Sequence, residues 1–238
     1  MVVVQQAESN SRSAGRRAER RAAIVAAAIA VFLEKGFHGC AMRDIAGRAG
    51  MTQGNIYNYV RSKADILYLV CDQAVGQYSR GVEEALASTA DPGERLVRAV
   101  GAMVAGMYER RHNILIVYRE NHSLDAPSRR AILKRADSFV ALMKVVIAAA
   151  VASGHAVVDD VDLAAATITY VPTIYALRGW RLRGASREAS LSFVSAFILA
   201  GLGAKTHGPT SAAVDGVAHL APANRSRGTC GPRCGTAE

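Results

Sequence analysis

From residue 16 onward the apolar positions recur at three- and four-residue spacing, with no sustained alternation of the kind that builds strands. Ile24, Val25, Ala28, Ile29, Phe32 and Leu33 share one side of a helix expected over residues 16–35, which Gly36 is placed to stop. A short second helix is expected over 42–49, closed by Gly50. Thr52 is placed to cap a third, over 53–60. Ser62-Lys63-Ala64-Asp65 has the spacing of a capping box, which begins a long fourth helix running to Ser88. Asp91-Pro92-Gly93 turns the chain into another helix ending near Arg111, because proline is preorganised for a first helical position. Further helical segments follow at 113–122, 125–153, 160–183 and 186–204. Pro172 should kink the third of these, and Gly184 separates the last two.

The pattern fades at both ends. Residues 1–15 read as a disordered arm, and 205–238, rich in Gly, Ala, Pro, Ser and Thr, as a disordered tail. Between them the fold class is all-α, in two parts. Residues 16–62 form a three-helix unit, and 63–204 a larger helical body.

Composition narrows the partners. Half of the 238 residues are hydrophobic, enough for a substantial core. The longest uncharged stretch, 189–204, has 16 residues, short of the roughly 20 that a membrane span needs. Arg16-Arg17 ahead of the apolar run 22–33 superficially resembles an export signal. However, Glu34-Lys35-Gly36-Phe37 stands where a small-residue cleavage site belongs. Cys40 and Cys71 are isolated and apolar-flanked, which fits a reducing compartment, and a cytoplasmic location is expected. The net charge is +9, and residues 1–61 carry nine basic side chains against four acidic ones. That concentration points to an anionic partner for the first part of the chain.

The chemistry lies in residues 42–63, MRDIAGRAGMTQGNIYNYVRSK. Two short helices joined by Ala49-Gly50-Met51 make a helix-turn-helix, with Ile45, Ala46, Ala49, Ile56 and Tyr59 or Val60 setting the angle between them. The second helix then offers Thr52, Gln53, Gly54, Asn55, Tyr57 and Asn58 outward. Asn and Gln pair bidentately with adenine, Tyr and Thr reach phosphate or the thymine methyl, and glycine permits close approach to the groove. Arg12, Arg16, Arg17, Arg20 and Arg21 form a basic cluster suited to phosphates or a minor groove.

These residues resemble the TetR family of bacterial transcriptional regulators. The resemblance rests on Phe32-Leu33-Glu34-Lys35-Gly36-Phe37, on Ile45-Ala46-Gly47-Arg48-Ala49-Gly50, and on Tyr57-Asn58-Tyr59-Val60-Arg61-Ser62-Lys63, within residues 18–70. It departs at Ala41, where a Thr or Ser cap is usual, and at Val60 in place of Phe. The resemblance implies that Thr52, Gln53, Gly54, Asn55 and Tyr57 face bases or nearby backbone. It also implies that Arg43, Tyr59 and Lys63 fix phosphates on double-stranded, pseudo-palindromic operator DNA.

The body holds no plausible catalytic set and no phosphate loop, so no enzyme is expected. His38, His112, His122, His155, His207 and His219 share no ligand spacing, so neither a metal nor a cofactor is expected. Cys230-Gly231-Pro232-Arg233-Cys234 reads as incidental.

In TetR-like regulators this half implies an effector cavity and a homodimer built from the last two helices. Here those are 160–183 and 186–204, with Ala164, Ala165, Ala166, Ala196, Ala200 and Gly201 permitting close approach. Leu191, Phe193, Phe197 and Ile198 would be buried there. A weaker resemblance over 117–183 to regulators of fatty-acid or sterol catabolism implies an acyl-CoA or other lipid-like effector. Met103, Met107, Tyr118, Arg119, Phe139, Met143, Tyr170, Ile174 and Trp180 are the candidate lining, and Arg119, Arg178 or Arg181 would meet an anionic end. The expected function is therefore a ligand-responsive repressor released from DNA by its effector. The alternatives are a DNA-binding dimer whose body is a ligand-free scaffold or binds a protein, and a helical-pocket enzyme acting on a lipid-like substrate.

Overall fold

A computed structural model describes residues 2–205, with side chains from Gly15 onward. The tail beyond, with Cys230 and Cys234, and the side chain of Arg12 lie outside the described residues. Among the described residues ten α-helices follow one another: α1 (Val2–Gly39), α2 (Met42–Arg48), α3 (Gln53–Ile56), α4 (Lys63–Ala87), α5 (Pro92–Glu109), α6 (Arg111–Glu120), α7 (Ala126–Ala152), α8 (Val161–Tyr170), α9 (Ile174–Leu177) and α10 (Arg187–Gly201).

Three expectations need correcting. The first helix is longer than 16–35, with backbone helical from Val2. Gln, Ala, Glu and Arg there are good helix formers, and no proline interrupts them. The third helix is shorter than 53–60, because residues 57–59 leave it as a turn. The segment 160–183 is broken rather than kinked. Pro172 removes a donor and crowds the preceding turn, so α8 gives way to a 3₁₀ turn at Val171–Thr173, then α9, then a second 3₁₀ turn at Gly179–Arg181. Gly36, at φ 72°, ends the regular part of α1 where the sequence placed its stop.

In the head, α1 packs on α2 and α4, and α2 on α3. Ile24, Ala28, Phe32, Ile45, Ile56 and Val60 meet in its core. A four-residue helix has no stability of its own. Burial of Ile56 and Val60, each contributing roughly 1.5–3 kcal/mol, holds α3 in place. By length and composition alone, Gly15–Gly39 is apolar enough to cross a membrane. In the fold its apolar side is this core.

In the body α4, α5 and α7 pack together, α10 covers α5, α8 covers α7, and α6 lies against α4 and α1. Leu67, Leu96, Met103, Ile116, Met143, Ile147 and Ile198 are fully buried and continuous with the core of the head. Because α4 belongs to both parts, the first turn that follows the reading helix is also the start of the body's central helix.

Candidate nucleic-acid interface

The turn between α2 and α3 is set by backbone bonds. The Ala49 amide donates to the Ile45 carbonyl and that of Met51 to Ala46, both at 2.9 Å, while Gly50 takes φ 66°, a conformation glycine adopts without strain. At the start of α2, Ala41 offers no capping oxygen. Half of the capping box survives nonetheless: Asp44 accepts from the Ala41 amide at 2.7 Å and from Lys35 at 3.0 Å. The Ala41 amide first, and Lys35 second, hold the Asp44 carboxyl below the usual carboxylate range.

At α3, Thr52 Oγ1 accepts from the Asn55 amide at 3.2 Å, as expected of its cap position. Asn58 Nδ2 donates to Asn55 Oδ1 at 3.1 Å. Thr52, Gln53, Gly54, Asn55 and Tyr57 are all exposed on one short element, Tyr57 by 49%. A Cβ on Gly54 would meet nothing within 4 Å, so no packing inside this chain requires glycine there.

Basic groups flank this stripe. Arg16, Arg17, Arg20, Arg21, Arg43 and Arg61 are exposed, and Arg17 donates to the Asn58 carbonyl at 3.3 Å. Arg61, whose side chain is 92% exposed, lies 3.7 Å from Asp65. It was not among the expected contacts, although its place just before the Ser62 cap gave the signal. Arg48 is paired with Glu34.

Two residues expected at phosphates are less exposed than the others. Tyr59 is half-buried against the core. Lys63 is turned inward: its ammonium donates to the Phe37 carbonyl at 2.5 Å and the Cys40 carbonyl at 2.7 Å, and lies 4.6 Å from the centre of the Phe37 ring. Those two carbonyls belong to the last turn of α1 and to the residue that follows it, so Lys63 clamps the end of α1 to α4. The reason is local. The end of a helix leaves its last carbonyls without intrahelical donors, and a partly buried acceptor gains from a charged one. The Ser62 cap forms, with Ser62 Oγ accepting from the Asp65 amide at 3.0 Å. Asp65 reaches back not to Ser62 but to the Arg61 amide, also at 3.0 Å.

The nine candidate effector residues divide between the core and the surface. Met103, Met107, Phe139 and Met143 are buried and fill the core, where Phe139 meets Tyr78 edge-to-face at 4.7 Å. Tyr118, Arg119, Tyr170, Ile174 and Trp180 are exposed. The break at Pro172 separates α9 from α8 and leaves Ile174 and Trp180 facing solvent. A cleft of about 900 Å³ lies instead between α1, α4 and α7, and of the nine only Phe139 reaches it. Arg17, Arg21, Arg80 and Arg135 also line it, and Arg135 is paired with Asp72.

The expected dimer face also divides. Phe193, Ala196, Phe197, Ala200 and Gly201 form an exposed stripe on α10, with the two phenylalanine rings stacked at 6.5 Å. Leu191, Ile198 and Ala165 turn into the chain's own core. Burial pushes the Cys71 thiol up to about 12 and also raises Cys40, so neither cysteine is a nucleophile at neutral pH.

A short outward-facing helix held by a glycine turn, with basic groups around it and a helical body behind, defines a helix-turn-helix transcriptional regulator. Residues 24–68 match the family model described as bacterial regulatory proteins, tetR family, and 89–173 the model of the tetracyclin repressor-like C-terminal domain. The chain belongs to the TetR family. It is 34% identical over 116 residues to the HTH-type transcriptional regulator HbdR of Aromatoleum sp. (strain CIB), covering 49% of this chain and 50% of that protein. It is 33% identical over 97 residues to the fatty acid metabolism regulator protein of Bacillus subtilis (strain 168), covering 40% and 48%. The matches thus span about half the length of these curated relatives. Among solved structures, AibR in complex with isovaleryl coenzyme A and operator DNA superposes with a TM-score of 0.65 at 18% identity, covering 78% of this chain and all of that one. The ketosteroid regulator KstR2 of Mycobacterium tuberculosis also superposes with 0.65, at 23% identity, covering 78% and 96%. These likenesses establish the fold.

Proposed function

We propose that the chain acts as a homodimeric repressor released from operator DNA by a hydrophobic or acyl-CoA-like effector. The exposed stripe Thr52, Gln53, Gly54, Asn55 and Tyr57, on a helix joined through one turn to the body's central helix, carries the reading. In it, those five residues meet bases and nearby backbone, while Arg43, Arg61 and the partly exposed Tyr59 meet phosphates. Two copies related by two-fold symmetry, joined along the Phe193 and Phe197 stripe, set their reading helices in successive major grooves roughly 34–36 Å apart.

The effector class is supported by the names of the relatives: a fatty acid metabolism regulator protein and a ketosteroid transcriptional regulator are among them, and AibR was solved with isovaleryl coenzyme A. An acyl chain would part the methionines at 103, 107 and 143 beside Phe139, since thioether side chains repack at low cost. Its anionic end would meet arginines of the adjoining cleft, Arg80 and Arg135. Tyr118, Arg119, Tyr170, Ile174 and Trp180 would meet a ligand only at its surface mouth.

The test begins with selection of bound DNA from a random pool, followed by titration of the complex with acyl-CoAs of increasing chain length. An effector should weaken operator affinity at least tenfold, and the operator should weaken effector affinity by the same factor. Unequal factors would sink the two-state mechanism. The closely packed core favours one other reading, in which the body is a ligand-free scaffold. A flat titration across all acyl-CoAs would decide for it.

A further inference from the structure

The fold brings His38 against Glu120 and His122, which lie more than eighty positions further along the chain. His38 stands in the last turn after Gly36, Glu120 ends α6, and His122 lies in the 3₁₀ turn Asn121–Ser123. One ligating atom from each lies within 4.8 Å of the others. We propose that His38, Glu120 and His122 bind one divalent transition-metal ion, Zn²⁺ or a near neighbour in the first row, joining the DNA-reading head to the body.

Donor chemistry selects the ion. Two imidazoles and one carboxylate suit Zn²⁺, Ni²⁺, Cu²⁺ or Fe²⁺, whereas Mg²⁺ and Ca²⁺ require oxygen ligands. Metal–ligand bonds of roughly 2.0–2.1 Å in a tetrahedron bring ligand atoms to about 3.3 Å from one another. The three groups therefore need to close by at most about an ångström and a half. Both histidines are exposed, so their rings are free to turn and the ion has a path from solvent. The rings already lie near parallel, at 30°, with centres 6.3 Å apart.

Outer contacts hold the set. Ser123 Oγ lies 3.0 Å from one nitrogen of His38, Nε2, leaving the other nitrogen free. The Phe37 amide donates to Glu120 Oε1 at 3.4 Å, leaving the second carboxylate oxygen free. Three protein ligands leave a fourth position for water. The groups come from both sides of the junction between α1 and α6, so an occupied site cross-links head and body. None of its three residues lines the cleft between α1, α4 and α7, and the site does not depend on the ligand reading above.

The test uses the full chain, stripped with a chelator and titrated calorimetrically with Zn²⁺. Wild-type protein should take up one ion per chain at this site, with a rise in the midpoint of thermal unfolding. His38→Gln and His122→Gln should each weaken binding at least tenfold and remove that rise. Glu120→Gln should weaken it too, while its amide oxygen still accepts from Phe37 and preserves the fold. Cys230→Ser with Cys234→Ser should bind as wild type does. The proposal is overturned if wild-type protein takes up no ion, if binding survives the histidine substitutions, or if it disappears with the tail cysteines.

Discussion

Gly54 is exposed on α3, its backbone is helical, and an added methyl group would meet nothing in the chain. Glycine in a helix costs about 0.8–1 kcal/mol relative to alanine, so Gly54→Ala should leave the fold unchanged or slightly stabilised. If the residue is there to let backbone approach the groove, the same substitution should weaken operator binding at least tenfold. Thermal unfolding and an operator-binding isotherm on one variant separate the two roles. Undiminished binding would remove Gly54 from the interface. Ala41 poses the opposite case. Its backbone is already extended, at φ −108° and ψ 162°, and Asp44 already supplies the reciprocal bond, so only the side-chain oxygen is missing. Ala41→Ser should therefore stabilise the head by about 1 kcal/mol, read as a higher unfolding midpoint. At this scale the sequence was legible wherever a residue acts through its own backbone neighbours: Thr52 capping α3, Gly50 turning and Gly36 stopping all follow from local rules.

Among the helices, the errors share one cause, which is competition from tertiary contacts. Lys63 reads as a phosphate contact because its position in the motif is exposed in principle. The carbonyls of Phe37 and Cys40 that capture it come from the end of α1, more than twenty residues earlier. Local spacing cannot reveal such a partner. Lys63→Met keeps much of the apolar stem but leaves both carbonyls without this donor. It should destabilise the protein by about 1–3 kcal/mol, measured by denaturant unfolding. A phosphate role alone would leave stability untouched and change only DNA affinity, so unchanged unfolding would restore the original assignment. The broken segment after α8 has the same lesson in a milder form. Pro172 announced a disturbance, but whether a helix bends or splits depends on the burial of Tyr175, whose hydroxyl donates to the Ser190 carbonyl at 2.8 Å.

For the whole molecule, the sequence located the excess of positive charge at the head and excess apolar material in the body, yet could not say which apolar residues face outward. On α10 the period resolves it after the fact. Leu191, Val194, Ile198 and Leu199 point inward, while Phe193 and Phe197 are 71% and 61% exposed. Two stacked phenylalanines in water, flanked by Ala196, Ala200 and Gly201, form an apolar stripe of the kind that marks an association surface. Small residues let a second helix approach closely, and the rings supply the burial. Phe193→Glu places a charge in the middle of this stripe without touching the chain's own core, so folding and thermal stability of the protomer should survive. Light scattering should then give the mass of one chain. Operator affinity should fall by about 10²–10⁴-fold, because each head must bind without the other to hold it near the DNA. A variant that remains dimeric would move the interface elsewhere. A monomer that binds the operator undiminished would show that one head is sufficient, and would remove two-fold symmetry from the account of recognition.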